Sequence, residues 1–138
     1  MSSRMTSAIP AEWQELYQAA MQARKSAYAP YSLFPVGAAI RSSSGIVYAG
    51  CNIENASSGL TVCAERVAAW NAIVAGVHEF ISLVVVTEDG STPCGACRQV
   101  LAEFGVKRVL LANRSERLEF GLEELLPRAA AGILDRIE

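Results

Sequence analysis

The sequence predicts an α/β domain in which a mixed β-sheet carries helices on both sides. Three observations lead there. Helical and extended segments alternate in the order α-β-β-α-β-α-β-β-α, a pattern that packs helices onto a sheet. The run "FISLVVVT" (residues 80–87) is apolar nearly throughout instead of alternating, as in a strand covered on both faces. The chain has 138 residues. That suits one domain, 1–138, able to bury roughly 70% of its unfolded surface without disulfides.

Each element has a local reason. Residues 10–28 form a helix, with Pro10 in its first turn, an apolar stripe of Trp13, Leu16, Tyr17, Ala20 and Met21, and Pro30 beyond its end. The loop "YAPYSLFP" precedes two strands, "VGAAIRS" and "IVYAGC", joined through "SSSG" as a hairpin. The loop "NIENASSGL" leads to a helix from Thr61, a good N-cap, to Gly76, a good stop. The strand at 80–87 follows, then "EDGST" and a helix opened by Pro93, "PCGACRQVLAEFG". "RVLLA" is a further strand and "RLEF" a short edge strand, while "LEELLPRAAAGIL" is helical with Pro127 interrupting or restarting it.

Composition narrows the function classes. Net charge is −2 and no Lys/Arg run occurs, so nothing invites a nucleic-acid backbone. The apolar stretches are too short to span a bilayer, and "MSSRMTSAIPAEW" lacks the apolar core of a signal peptide. The expected compartment is the cytoplasm, where cysteines stay reduced. Four cysteines there suggest metal or catalysis over crosslinks. Apolar residues make up 51% of the chain, an excess that hints at buried subunit contacts.

Two helix starts carry thiols: Cys63 in "TVCAERVAAW", Cys94 and Cys97 in "PCGAC". Residues three apart in a helical turn face the same way, so Cys94 and Cys97 can grip one ion and Cys63 can complete the set. Helix N-termini favour thiolate over thiol. Three protein ligands leave a tetrahedral zinc one open position, the pattern of a catalytic site. A closed structural site would need a fourth ligand, and Cys51 and His78 (the sole histidine) are poorly placed to provide it. Glu65 lies two residues beyond Cys63. From there it can serve as general acid and base for a water made acidic by zinc. Arg66 beside the thiolates offsets their charge. Asn52 and Glu54 alternate along an extended segment and point to one face, where an amide and a carboxylate suit a sugar hydroxyl. Phe34 offers a flat face for a base.

"CAER" followed by "PCGACRQ" resembles the zinc-dependent cytidine deaminases of the small homotetrameric type, and the zinc deaminases share a P-C-x-x-C element with a non-ligand glutamate. The likeness runs from "AYAPYSLFPVGAA" through "GCNIENASSGLTVCAERVA" to "EELLP". It implies a three-layer α/β/α sandwich around a mixed five-stranded sheet and one Zn²⁺ per chain. It also implies a cytidine or deoxycytidine substrate, no nucleic-acid partner and a homotetramer. By the same resemblance, Asn52 and Glu54 bind the ribose, Phe34 packs on the pyrimidine and the Ala64 backbone holds the base carbonyl.

Rival readings leave residues unexplained. "CGAC" also matches the thioredoxin arrangement, which gives no work to Cys63, Glu65 or Arg66 and lacks its Trp before the first Cys. Nucleic-acid editors usually carry His at the position of Cys63. A blasticidin-type deaminase shares the three cysteines but not an element like "NIENAS". A non-catalytic zinc-binding protein would be expected to lose Glu65 or a ligand. The chain departs from the family where "LLPxxF" reads "LLPRAA", with Ala130 at the aromatic position, and where "NASYG" reads "NASSG", with Ser58 for Tyr. These departures predict a roomier pocket open to bulkier cytosines, unless Ile133 or Leu134 fills the space.

Overall fold

The computed structural model describes residues 3–5 and 9–129. Its strands are β1 (Ser3–Met5), β2 (Gly37–Ser42), β3 (Val47–Cys51), β4 (Phe80–Val86), β5 (Arg108–Ala112) and β6 (Arg117–Gly121). Its helices are α1 (Gln14–Arg24), α2 (Ala64–Val74), α3 (Gly95–Glu103) and α4 (Leu122–Leu125). The strands form one mixed sheet in the order β1-β6-β5-β4-β2-β3. Only β4 and β5 run parallel, with α3 between them in sequence; the other pairs are antiparallel. The five strands read from the sequence are all present. β1 is an addition, three residues lying along β6 in the register Ser3↔Glu119, Arg4↔Leu118 and Met5↔Arg117.

Side-chain alternation divides the core into two layers. Ala38, Ile40, Leu83, Val85, Val109 and Leu111 face α2, α3 and α4, where they meet Ala64, Ala68, Ala72, Leu101 and Leu125. Ala39, Val84, Val86, Leu110 and Ala112 face the other way and meet Trp13, Leu16 and Ala20 at α1. Both faces of β4 are therefore covered, which accounts for its unbroken apolar run. The result is the three-layer α/β/α sandwich.

Gly50 lets α2 lie directly on β3. A Cβ there would stand 2.4 Å from the Ala68 amide nitrogen and 2.9 Å from the Ala64 carbonyl oxygen. Gly76, at φ +92°, closes α2 in the left-handed conformation that the helix stop requires.

Boundaries differ from expectation in all four helices, and α3 opens at Gly95 with Cys94 as its N-cap, leaving Pro93 outside. α1 follows a 3₁₀ turn at Ala11–Trp13 and ends at Arg24, not at residue 28. The backbone of Tyr28 is taken up elsewhere: its N–H donates to the Asn52 carbonyl at 3.0 Å, and its carbonyl accepts the Glu54 N–H at 2.8 Å. Thr61 does not cap α2; Cys63 does. Val62 pairs instead with Ile53 through reciprocal 2.9 Å bonds, holding the chain extended up to the cysteine. α4 stops at Leu125 because Leu126 precedes Pro127 and adopts φ −146°, away from the helical region. The remainder of that expected helix, with Ala130, Ile133 and Leu134, lies outside the described residues.

Candidate active site

Cys63 and Cys94 each occupy the N-cap of a helix, in extended conformation and without a side-chain capping bond, so each sulfur is free to face its neighbour. Cys97 follows in the first turn of α3 and is fully buried. The three Sγ atoms lie within 4.8 Å of one another, and no other group of this kind occurs among the described residues. Cys63 and Cys94 are 3.9 Å apart, Cys94 and Cys97 3.4 Å. Bonds of about 2.3 Å at the tetrahedral angle would place sulfurs about 3.8 Å apart, so the set fits zinc. Cys51, at the end of β3, and His78, exposed in the turn after Gly76, stand apart from the cluster. Cys51 is a free thiol whose pKa is pushed up by burial.

Charge around the sulfurs is arranged to hold thiolate. The Cys97 thiol and the Arg66 guanidinium, whose Nη2 donates to Cys63 Sγ at 3.4 Å, hold Cys63 at about 5 against the upward push of burial. Cys97, facing that thiolate in a buried position, is pushed up. Arg66 is held still more firmly protonated by Cys63. Glu65 is only 5% exposed, and burial lifts its carboxyl to about 7, with the Cys63 charge adding to the rise. A carboxyl that titrates near neutrality can both take and give a proton.

Asn52 and Glu54 reach the same loop. Asn52 is buried; its Oδ1 accepts the Val36 N–H at 2.9 Å and its Nδ2 donates to the Phe34 carbonyl at 2.9 Å. Glu54 accepts N–H groups from Tyr31 at 2.9 Å and Ser32 at 3.1 Å, and also the Ser32 hydroxyl. Ile53 bridges to both Tyr28 and Val62, so this segment lies between the Phe34 loop and the approach to Cys63. Phe34 is half-buried and Ala64 fully buried. Ser58 is exposed in a 3₁₀ turn, Ser58–Leu60.

Two further residues escaped the sequence reading. Ser32 links Glu54 to Phe34, and a hydroxyl two residues before a loop aromatic was its only local signal. Arg98 donates from Nε to the Pro93 carbonyl at 2.8 Å, from Nη2 to Thr92 Oγ1 at 3.0 Å and from Nη1 to the Leu125 carbonyl at 2.7 Å. It thereby ties the start of the cysteine helix to the end of α4, and its place beside "CGAC" was the only hint.

Comparison with known proteins agrees with this geometry. Residues 10–113 match the family described as the cytidine and deoxycytidylate deaminase zinc-binding region. A cytidine deaminase of Sporosarcina psychrophila is 47% identical over 121 residues, covering 84% of this chain and 89% of that protein. The crystal structure of cytidine deaminase from Burkholderia pseudomallei superposes with a TM-score of 0.79 at 46% identity, covering 85% of this chain and 98% of that one. That of the Mycobacterium tuberculosis enzyme gives 0.75 at 40% identity, covering 89% and 100%. A zinc-binding set of three cysteines, a buried glutamate beside it, and likeness over most of the chain lead to one assignment: the protein belongs to the cytidine deaminase family.

Proposed function

We propose that the protein is a zinc-dependent hydrolase that converts cytidine and deoxycytidine to uridine and deoxyuridine with release of ammonia. The observation that carries this reading is the juxtaposition of Cys63, Cys94 and Cys97 with the buried carboxyl of Glu65 at the start of α2. The three cysteines hold one zinc per chain. When bound, zinc supplies Lewis acidity that brings the pKa of a water towards ~7.

Glu65 takes a proton from the attacking water and delivers it to N3 of the base, which makes C4 electrophilic. The water oxygen bonds to C4, and Glu65 passes the second proton to the amino nitrogen as the C4–N bond breaks. The ring is left as the uracil carbonyl and ammonia departs. Ala64, first residue of α2, has an N–H without an acceptor inside the helix, which suits it to hold the base carbonyl. Phe34 packs on the pyrimidine. Asn52 Nδ2 has a second proton, and the Glu54 carboxylate has acceptor capacity beyond its three loop bonds, which supports assigning both to the ribose. Arg66 tempers the charge of the thiolates.

A homotetramer is part of the proposal. On α2, Trp70 is 45% and Val74 87% exposed, an apolar face suited to a second copy. Among the described residues no helix is long and apolar enough to cross a membrane. A cytoplasmic single-domain enzyme is part of the reading, since 138 residues suit one domain and the cysteines have metal-binding work, and the net charge of −2 favours a free nucleoside over a polynucleotide. Exposed Ser58, lacking a ring, favours acceptance of bulkier cytosine nucleosides alongside cytidine.

The test is chromatographic. The zinc-loaded protein is incubated with cytidine, deoxycytidine and 5- or N4-substituted cytidines, and uridine products are compared with the ammonia released or, for N4-substituted substrates, the amine. Equal amounts of both are expected. A protein with one zinc per chain that releases no ammonia from any cytosine nucleoside would overturn the proposal.

A further inference from the structure

The loop carrying Phe34 is fastened by the same two side chains that the proposed function assigns to the sugar. Glu54 Oε1 accepts the Tyr31 and Ser32 N–H groups, at 2.9 and 3.1 Å, while Oε2 accepts the Ser32 hydroxyl proton. The oxygen of that hydroxyl in turn accepts the Phe34 N–H at 3.1 Å. On the other side of the same residue, the Phe34 carbonyl accepts from Asn52 Nδ2 at 2.9 Å. Both backbone polar groups of Phe34 are thus tied, one directly to Asn52 and one through Ser32 to Glu54.

Between these ties Leu33 sits at φ +58° with 77% of its surface exposed. A leucine resists that left-handed conformation, and buries little of its own surface in return. Such a conformation persists only where surrounding bonds over-determine it. Here the surrounding bonds are those of Glu54, Ser32 and Asn52, with the Leu33 N–H closing the turn onto the Ala29 carbonyl at 3.0 Å.

We propose that Ser32 is a positioning residue for substrate recognition: its hydroxyl transmits the placement of the Glu54 carboxylate to the Phe34 amide, so that the sugar contact and the base contact form one coupled unit. The proposal rests on the reading of Phe34 as the ring that packs on the base. Ser32 is exposed and belongs to no helix, strand or core layer. Surface hydrogen bonds of this kind change global stability little, so the effect of losing it falls on the aim of the Phe34 ring. One serine proton and one serine lone pair carry the link from the Glu54 carboxylate to the Phe34 N–H, and among the described residues no other side chain bonds that N–H.

The experiment is a double-mutant cycle on the zinc-loaded enzyme with cytidine as substrate. Ser32→Ala is expected to raise KM about three- to tenfold, as for loss of one or two modest hydrogen bonds, with kcat, zinc content and Tm near the parental values. Ser32→Thr keeps the hydroxyl and should restore KM; Ser32→Cys keeps the size with a poor acceptor and should behave as Ser32→Ala. Phe34→Ala should raise KM by itself, and the double variant Ser32→Ala/Phe34→Ala should be no worse than Phe34→Ala, because the serine acts through the ring. A parental KM in Ser32→Ala and Ser32→Cys beside a raised KM in Phe34→Ala overturns the coupling and leaves the base contact standing. Fully additive losses also overturn it. A parental KM in Phe34→Ala overturns the base contact itself, and the coupling with it.

Discussion

Replacing Gly50 by alanine tests whether the packing of α2 on β3 sets the metal site. The added Cβ would stand 2.4 Å from the Ala68 nitrogen and 2.9 Å from both the Ala64 oxygen and the Val67 carbonyl carbon. All three are backbone atoms, so no side chain can swing aside. Ordinary contact begins at 3.4 Å, which asks α2 to retreat on the order of 1 Å near Ala68. Cys63 caps that helix, whereas Cys94 caps α3, which does not rest on β3. The 3.9 Å separation between their sulfurs is therefore disturbed by several times the ~0.2 Å tolerance of a metal site. Overpacking of this kind costs about 1–3 kcal/mol of stability. Misplacing a ligand through its support typically costs about 10–100-fold in metal affinity. Chelator competition for zinc and thermal unfolding of the loaded protein measure the two effects. Gly59→Ala is the control, because nothing lies within 4 Å of a Cβ there. Parental zinc affinity and Tm in Gly50→Ala would show that the contact of α2 with β3 does not set the position of Cys63.

Three further outcomes are expected. Cys63→Ala, Cys94→Ala and Cys97→Ala should each lose the one zinc per chain by metal analysis, while Cys51→Ala keeps it; equal loss in the Cys51 variant would refute the ligand set. Hydrogen bonds from Ser32 and Tyr31 hold the Glu54 carboxyl below its ordinary 4.5, so their stabilisation of the loop is present above that pH and lost as pH falls through the lowered value. The Tyr31 and Ser32 amide resonances should accordingly titrate with a midpoint below 4.5, and a midpoint at or above it would contradict the assignment. Arg98→Ala should cost about 1.5–3 kcal/mol in denaturant unfolding, with Arg98→Lys recovering only part because an ammonium cannot reproduce the three-way fork; a parental value in Arg98→Ala would count against the clamp.

The order of elements and the three-layer arrangement were legible because they follow from short-range signals: the apolar run of β4, the hairpin serines, and Gly76 after α2. The metal cluster was legible for the same reason, since Cys94 and Cys97 are three apart and Cys63 opens another helix. What the sequence concealed was decided at long range. α1 ends early, and Thr61 fails to cap α2, because Tyr28 and Val62 are both drawn to Ile53. Ser32 bonds a residue 22 positions away and Arg98 one 27 positions away, so neither partner was visible locally. β1 is three residues with no room for an alternating pattern, and it exists by pairing with β6. Asn52 and Glu54 were expected to share a face, and they do reach one loop; that they also fasten Phe34 could be learned only from the geometry.

Glu65→Gln separates proton transfer by Glu65 from the holding of zinc by the three cysteines. The variant keeps the shape of the side chain while removing its proton chemistry, and it should relieve rather than worsen the burial that lifts this carboxyl to about 7. Zinc content and cytidine turnover are measured on the same preparation. One zinc per chain and a loss of at least about 10²–10⁴-fold in kcat are expected. Turnover within a few-fold of the parent, with zinc in place, would contradict proton transfer by Glu65.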